Sequence, residues 1–258
     1  VSFSVQHLQL KAGKKTLLNG IDFSFSPGEI VAVMGPNGAG KSSLLKVMAG
    51  EISAYQGLIK LNQKDYKAWS NNERAKMIGV LPQTSLLNFP FSVLEIVLLG
   101  RLPHSTGYKK DIDIAEAAIE ALDISHLQTK AYPSLSGGEK QRVQLARVLA
   151  QIWQPSDLGP RYLLLDEPTS ALDAEHQQLI LKLAKQLAKQ DIGVMTILHD
   201  LNLAAQYADR VVMMQQASIV EQGASDSIFN SETIQRVFSI ETTVMAHPVN
   251  QKPVIVTL

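Results

Sequence analysis

The sequence predicts an α/β fold built on a parallel sheet, and three observations carry that prediction. The apolar run Ile30-Val31-Ala32-Val33-Met34 leads into Gly35-Pro36-Asn37-Gly38-Ala39-Gly40-Lys41-Ser42, and residues 43–48 read as the first turns of a helix. Later apolar runs at 162–165, 194–198 and 211–214 alternate with helix-spaced segments, which implies crossovers in a parallel sheet. The third is composition. Its 258 residues are 45% hydrophobic and 19% charged, enough apolar material for one large domain or a core with a small insertion.

The elements follow in order. Residues 1–28 alternate polar and apolar in two blocks, closed by Pro27-Gly28, and predict an antiparallel sheet. Residues 57–61 and 77–81 supply further short strands. From about Thr84 to Ala150 strand signals are absent. Ser92 to Leu99 and Ile112 to Leu122 carry helix-spaced apolar residues, with Ser92 and Asp111 placed as caps, so an inserted helical segment is expected. Between the strands at 162–165 and 194–198 lies a helix with an apolar face of Leu179, Leu183 and Leu187. Its Lys182, Lys185 and Lys189 read as a solvated face. There is no internal repeat and no low-complexity region.

The loop at 35–42 has the spacing that phosphate binding needs. Its glycines let backbone N–H groups curl round an anion, and the following helix N-terminus adds unpaired donors and partial positive charge. Lys41 is then placed for the β- and γ-phosphates and the Ser42 hydroxyl for Mg²⁺, so the chain is expected to bind a nucleoside triphosphate. A buried strand ending in Asp166-Glu167 offers a carboxylate for the Mg²⁺ shell and a general base for water. Leu135-Ser136-Gly137-Gly138-Glu139 runs into a long amphipathic helix and makes a second anion-binding helix start, with the Ser136 hydroxyl as an added donor.

Other chemistries are disfavoured. Lys plus Arg and Asp plus Glu both total 24, without the basic excess that nucleic-acid binding usually shows. There is no cysteine, hence no disulfide and no thiol metal site, and a reducing compartment fits. No apolar stretch approaches the roughly 18–20 residues that span a bilayer. The first five residues alternate like a strand and lack the regions of a secretory signal. A soluble chain is expected, with any membrane role carried by a partner.

With these motifs in hand, the chain resembles the ATPase subunits of ABC transporters over nearly its full length. Residues 35–42 are similar to their Walker A, with Ser43 beside it, 135–139 to the ABC signature, and 163–167 to Walker B with its following glutamate. Ser170-Ala171-Leu172-Asp173 matches the D-loop, Gln83 the Q-loop glutamine and His199 the switch histidine. The resemblance implies a RecA-like P-loop core, residues 1–83 and 151–258, with an N-terminal antiparallel subdomain and a helical subdomain at 84–150. It implies a head-to-tail pair in which each ATP lies between Walker A of one subunit and the signature of the other. Glu167 would polarise the attacking water and His199 would bind the γ-phosphate. Gln83 would touch Mg²⁺ beside Ser42 and Asp166, and Ser136, Gly137, Gly138 and Asp173 would contact nucleotide across the pair. The cofactors implied are ATP and Mg²⁺. The implied partners are a second ATPase subunit, a polytopic permease dimer and, indirectly, a periplasmic substrate-binding protein, at the cytoplasmic face of a bacterial inner membrane.

Within the family, residues 97–104 and 199–205 resemble importers of iron chelates, haem and cobalamin. The long link at 151–161, with residues 170–173 and His176-Gln177, looks most like haem-importer ATPases. The rival is a soluble ATPase of the same fold, such as one in iron–sulfur cluster assembly. Three departures stand out: no aromatic residue near Ala12-Gly13-Lys14 to stack on adenine, no glycine in the late hairpin at 215–218, which reads as a harmless turn change, and the link at 151–161, longer than the usual one to Walker B. The segment from Thr84 to Arg101, with Leu86, Leu87, Phe89, Phe91, Val93 and Leu94, is expected to form part of a cleft for the permease, because Pro90 restricts Phe89 and breaks regular helix.

Overall fold

A computed structural model describes residues 2–83, 89–170 and 172–258. The chain opens with strands β1 (Phe3–Ala12) and β2 (Lys15–Phe25), which pair antiparallel. Strand β3 (Ile30–Met34) leads to helix α1 (Lys41–Ala49), then β4 (Gln56–Leu61), β5 (Lys64–Asp65), α2 (Asn71–Met77) and β6 (Ile78–Leu81). The described residues from Phe89 to Gln151 contain α3 (Val93–Leu98), α4 (Tyr108–Glu120) and α5 (Gly137–Gln151). The remainder is β7 (Arg161–Asp166), α6 (Ala174–Ala188), β8 (Ile192–Ile197), α7 (Leu201–Tyr207), β9 (Arg210–Gln215), β10 (Ser218–Ala224), α8 (Ser225–Ile228), α9 (Ser231–Phe238) and the hairpin β11 (Thr242–Ala246) with β12 (Pro253–Thr257).

A four-stranded sheet, β2-β1-β4-β5, stands against a six-stranded one, β10-β9-β3-β8-β7-β6. In the larger sheet β9, β3, β8, β7 and β6 run parallel and β10 closes one edge antiparallel. Every residue of β3, β7 and β8 is buried, as a parallel sheet covered on both faces requires. Val31, Val33 and Leu164 face the core shared with β1, β2 and α1, while Ala32, Leu163 and Leu165 face the helices. Tyr162 joins the two sheets. Its ring meets Phe3 and Phe25 edge-on at 5.4 and 5.3 Å, and its hydroxyl donates to Asn62 Oδ1 at 2.9 Å.

This topology delivers the ends of β3, β6, β7 and β8 to one edge of the sheet, where a ligand site in an open α/β fold belongs. The long link after α5 is stitched down on the way. The Arg161 guanidinium, buried, donates to the carbonyls of Ile152 and Trp153, and Asn62 Nδ2 donates to Pro160 O at 3.1 Å.

Three sequence expectations are corrected. Ser92 caps α3 with a full capping box to Glu95, but Asp111 caps nothing: α4 begins at Tyr108, after Gly107. The Asp111 carboxylate is instead the charge partner of Arg101, 2.9 Å away, a guanidinium only 3% exposed that could not stay buried without one. Lys185 does not belong to a solvated face. It is half-buried, donates to Gln206 O at 3.1 Å and lies over the Tyr207 ring, and burial pulls its pKa down. The late hairpin turn places Gln216 and Ala217 at φ 47° and 66°, left-handed conformations that glycine or asparagine would adopt more readily. That turn touches the phosphate loop, since Ala217 N donates to Ala39 O at 3.1 Å. Of the proposed permease segment, residues 84–88 lie outside the described residues. Phe89 and Phe91 are exposed, 61% and 41%, with ring centroids 5.9 Å apart, and Val93 is buried in the helical core.

Candidate functional site

The loop between β3 and α1 forms the floor of a cleft of about 450 Å³ that Lys15, Leu17, Gln83 and Glu167 also line. Residues 37–43 contribute from the loop and the first turn of α1, whose leading N–H groups have no partner within the helix. The Lys41 side chain is buried and folds back along the loop, with Nζ donating to Gly35 O at 2.7 Å and Pro36 O at 3.0 Å. Burial lowers its pKa, while the Glu167 and Asp166 carboxylates pull the other way. An anion entering the cleft would therefore meet a cation already drawn to the loop.

Asp166 ends β7 and is 3% exposed; the Ser42 hydroxyl donates to its Oδ1 at 3.3 Å. Burial pushes the Asp166 carboxyl up, the Ser42 bond opposes this, and the Glu167 charge adds to it. A cation beside Ser42 and Asp166 would reverse that pressure, so the pair fits Mg²⁺. The described residues contain no cluster of three or more His, Asp and Glu able to cage a metal alone.

Glu167 is the hinge of the site. Its φ of 52° is left-handed, an uncommon state for a non-glycine residue and one that clusters at functional positions. Gln83 Nε2 donates to its Oε2 at 2.9 Å, and His199 Nε2 stands 2.6 Å from its Oε1. The contact is a hydrogen bond when that ring nitrogen carries the proton and the carboxylate accepts it. Residues that follow three different strands, β6, β7 and β8, thus meet at one carboxylate.

The structure therefore brings the 35–43 loop, Gln83, Asp166, Glu167 and His199 together. It keeps Ser136, Gly137, Gly138 and Asp173 out of the cleft lining. Ser136 caps α5 by accepting from Glu139 N at 3.3 Å, which leaves its hydroxyl proton free to donate. A Cβ at Gly137 would meet nothing within 4 Å. Asp173 caps α6, accepting from His176 N at 3.0 Å. Both caps lie at helix starts outside this chain's own cleft.

Sequence reasoning missed Lys15 and Leu17, which enter the cleft from β2. It also missed Gln141, which reaches Glu167 O at 3.3 Å from the helix that follows the signature. The only signal for Lys15 and Leu17 is their position just past Ala12-Gly13-Lys14, on alternate residues of a strand. Gln141 has none, because its partner is a backbone atom 26 residues away.

The ABC transporter family profile matches residues 18–170. The hemin import ATP-binding protein HmuV of Pseudomonas fluorescens is 47% identical over 98% of this chain and 98% of its own. The protein of the same name from Gloeobacter violaceus is 48% identical over 94% of this chain and 89% of its own. Among solved structures, an inward-facing metal-chelate type ABC transporter superposes with a TM-score of 0.82 at 29% identity, covering 100% of this chain and 97% of that one. A dimeric bacterial ABC transporter cassette matches the fold with a TM-score of 0.76 at 23% identity, over 86% of this chain and 98% of its own.

Proposed function

This chain belongs to the ABC transporter family, and we propose that it is the ATP-hydrolysing subunit that powers haem import through a separate membrane permease dimer. The observation that carries the cargo is near-full-length similarity to hemin import ATP-binding proteins, at 43–48% identity. The same similarity weighs against a soluble ATPase of iron–sulfur assembly. The chain's place in this reading is peripheral, at the cytoplasmic face of the inner membrane and held by the permease; no helix among the described residues is long and apolar enough to cross a membrane. A periplasmic haem-binding protein is the indirect partner. We assign residues 84–150 to a helical subdomain and the rest to the nucleotide-binding core.

In this reading two copies pair head-to-tail, and the nucleotide lies between residues 35–43 of one and Ser136, Gly137, Gly138 and Asp173 of the other. Two glycine-lined helix starts facing each other suit a polyphosphate. Lys41 and the loop N–H groups bind the β- and γ-phosphates. Ser42, Asp166 and Gln83 would hold Mg²⁺, which when bound would neutralise charge on the phosphates. Glu167 takes the proton of the attacking water, and His199, its hydrogen-bond partner, positions that water and the γ-phosphate. Gln83 links the same carboxylate to the chain that runs on into residues 84–91, toward the permease.

Base recognition is the weak side of the site. The residues lining the cleft include no aromatic ring, and β2 contributes Lys15 and Leu17 to it. The phosphates then dominate affinity, and GTP supports hydrolysis within about one order of magnitude of ATP, a difference under about 1.4 kcal/mol. Competition that favours ATP several hundredfold would require an aromatic platform from elsewhere.

The cargo is tested by reconstituting the chain with its permease in vesicles. ATP-dependent uptake of haem, with cobalamin and ferric siderophores left outside, is the expected result. Preferred uptake of either competitor reassigns the cargo, and failure to co-purify with any polytopic membrane protein overturns the importer.

A further inference from the structure

The Glu167 peptide is held by more than its neighbours in sequence. Its carbonyl accepts from Ser170 N at 3.3 Å, from Ser170 Oγ at 3.1 Å and from Gln141 Nε2 at 3.3 Å. Gln141 lies in α5, the helix that Ser136 caps. On the other side of the same loop Gln177, in α6, donates to Thr169 O at 3.1 Å and Leu172 O at 3.0 Å. The carbonyls of Glu167, Thr169 and Leu172 are thus held by side-chain amides from two helices.

Gln141 is an expensive choice for packing alone. Its Oε1 is buried and has no partner among the described protein atoms, so only one end of the amide is used. A methionine would fill the space and strand nothing. The end that is used grips the carbonyl of Glu167, the residue that carries the carboxylate of the site and a left-handed φ of 52°.

We propose that Gln141 is a positioning residue that couples the two nucleotide sites of the pair. This rests on the head-to-tail reading, in which Ser136, Gly137 and Gly138 close on the nucleotide held by the partner. Movement of the signature turn onto that nucleotide carries α5, and Gln141 with it. The Glu167 peptide of the same chain is then drawn into line over its own nucleotide. Occupancy of one site thereby sets the hydrolytic geometry of the other.

The test is steady-state ATP hydrolysis by the full chain carrying Gln141→Met, with Gln141→Glu, isosteric and unable to donate when ionised, as a second variant should the first not fold. Wild type is expected to respond sigmoidally to ATP. The variant is expected to respond hyperbolically, with an unchanged half-saturation and a kcat lowered about ten- to hundredfold, the scale of a small misplacement of a catalytic group. A kcat and curve shape equal to wild type overturn the proposal. So does a lowered kcat with the sigmoidal shape retained, which would make Gln141 a brace of one site only. ATP-driven dimerisation of Glu167→Gln, followed by gel filtration, separates the two ideas. Its absence removes the head-to-tail reading, whereas dimerisation with unchanged Gln141→Met kinetics removes the coupling alone.

Discussion

Glu167→Gln will bind ATP and accumulate as a closed dimer while hydrolysing it about 10²–10⁴ times more slowly than wild type, the usual loss when a positioned general base is removed. The substitution is close to isosteric, and the site can absorb it. Gln83 Nε2 now donates to Glu167 Oε2, and an amide oxygen there would still accept. His199 Nε2 now faces Glu167 Oε1, and a change of ring tautomer would let it accept from an amide NH₂ instead. The fold and the phosphate contacts of residues 35–43 stay as they are, so the loss falls on the chemical step. Single-turnover hydrolysis with radiolabelled ATP separates that step from binding, and gel filtration with Mg-ATP reads the dimer. A variant with near-native turnover would assign the base to another residue, and His199 would be next in line.

The parts of this protein that were legible in its sequence are those where one segment carries both the pattern and its cause. Residues 30–48 hold a strand, a glycine loop and a helix start in order, and β3, the loop and α1 stand there. The capping box Ser92–Glu95 likewise needs only three residues. Where the cause is distant in the chain the reading went astray. Asp111 looks like a cap until the buried Arg101 is seen beside it, and Lys185 looks solvated until the end of α7 packs against it. The hairpin β11–β12 went unread because only part of it alternates cleanly: Ile255 is buried, while Met245 and Val256 are exposed. The site shows the same division. Gln83, Glu167 and His199 were each found by motif, but their convergence on one carboxylate is a property of strand order, β8-β7-β6, which no local pattern encodes.

Two glycines of the phosphate loop, alike in the sequence, will separate cleanly when each is changed to alanine. A Cβ at Gly35 would lie 2.0 Å from Met214 O, a backbone atom of a buried strand, and the φ of 143° is itself unfavourable for alanine. Neither atom can turn aside, because β9 is paired to β3 through Met34 and Met213 just beside the contact. Gly35→Ala should therefore cost about 3 kcal/mol or more, at or beyond the upper end of ordinary overpacking. That is a large share of the roughly 5–15 kcal/mol that holds a typical domain together. At Gly38 the φ is 78° and a Cβ would meet nothing within 4 Å. Gly38→Ala should cost only the left-handed penalty of about 1–2 kcal/mol and fold normally. Its methyl would project from a residue that lines the cleft, and ATP affinity should fall at least about tenfold, or 1.4 kcal/mol. Urea melts and nucleotide titrations on both variants decide the matter. A stable Gly35→Ala would mean that β9 yields where its pairing says it cannot, and a Gly38→Ala that binds ATP like wild type would place the phosphates away from this turn. The first glycine of the loop is there for the sheet, and the second for the nucleotide.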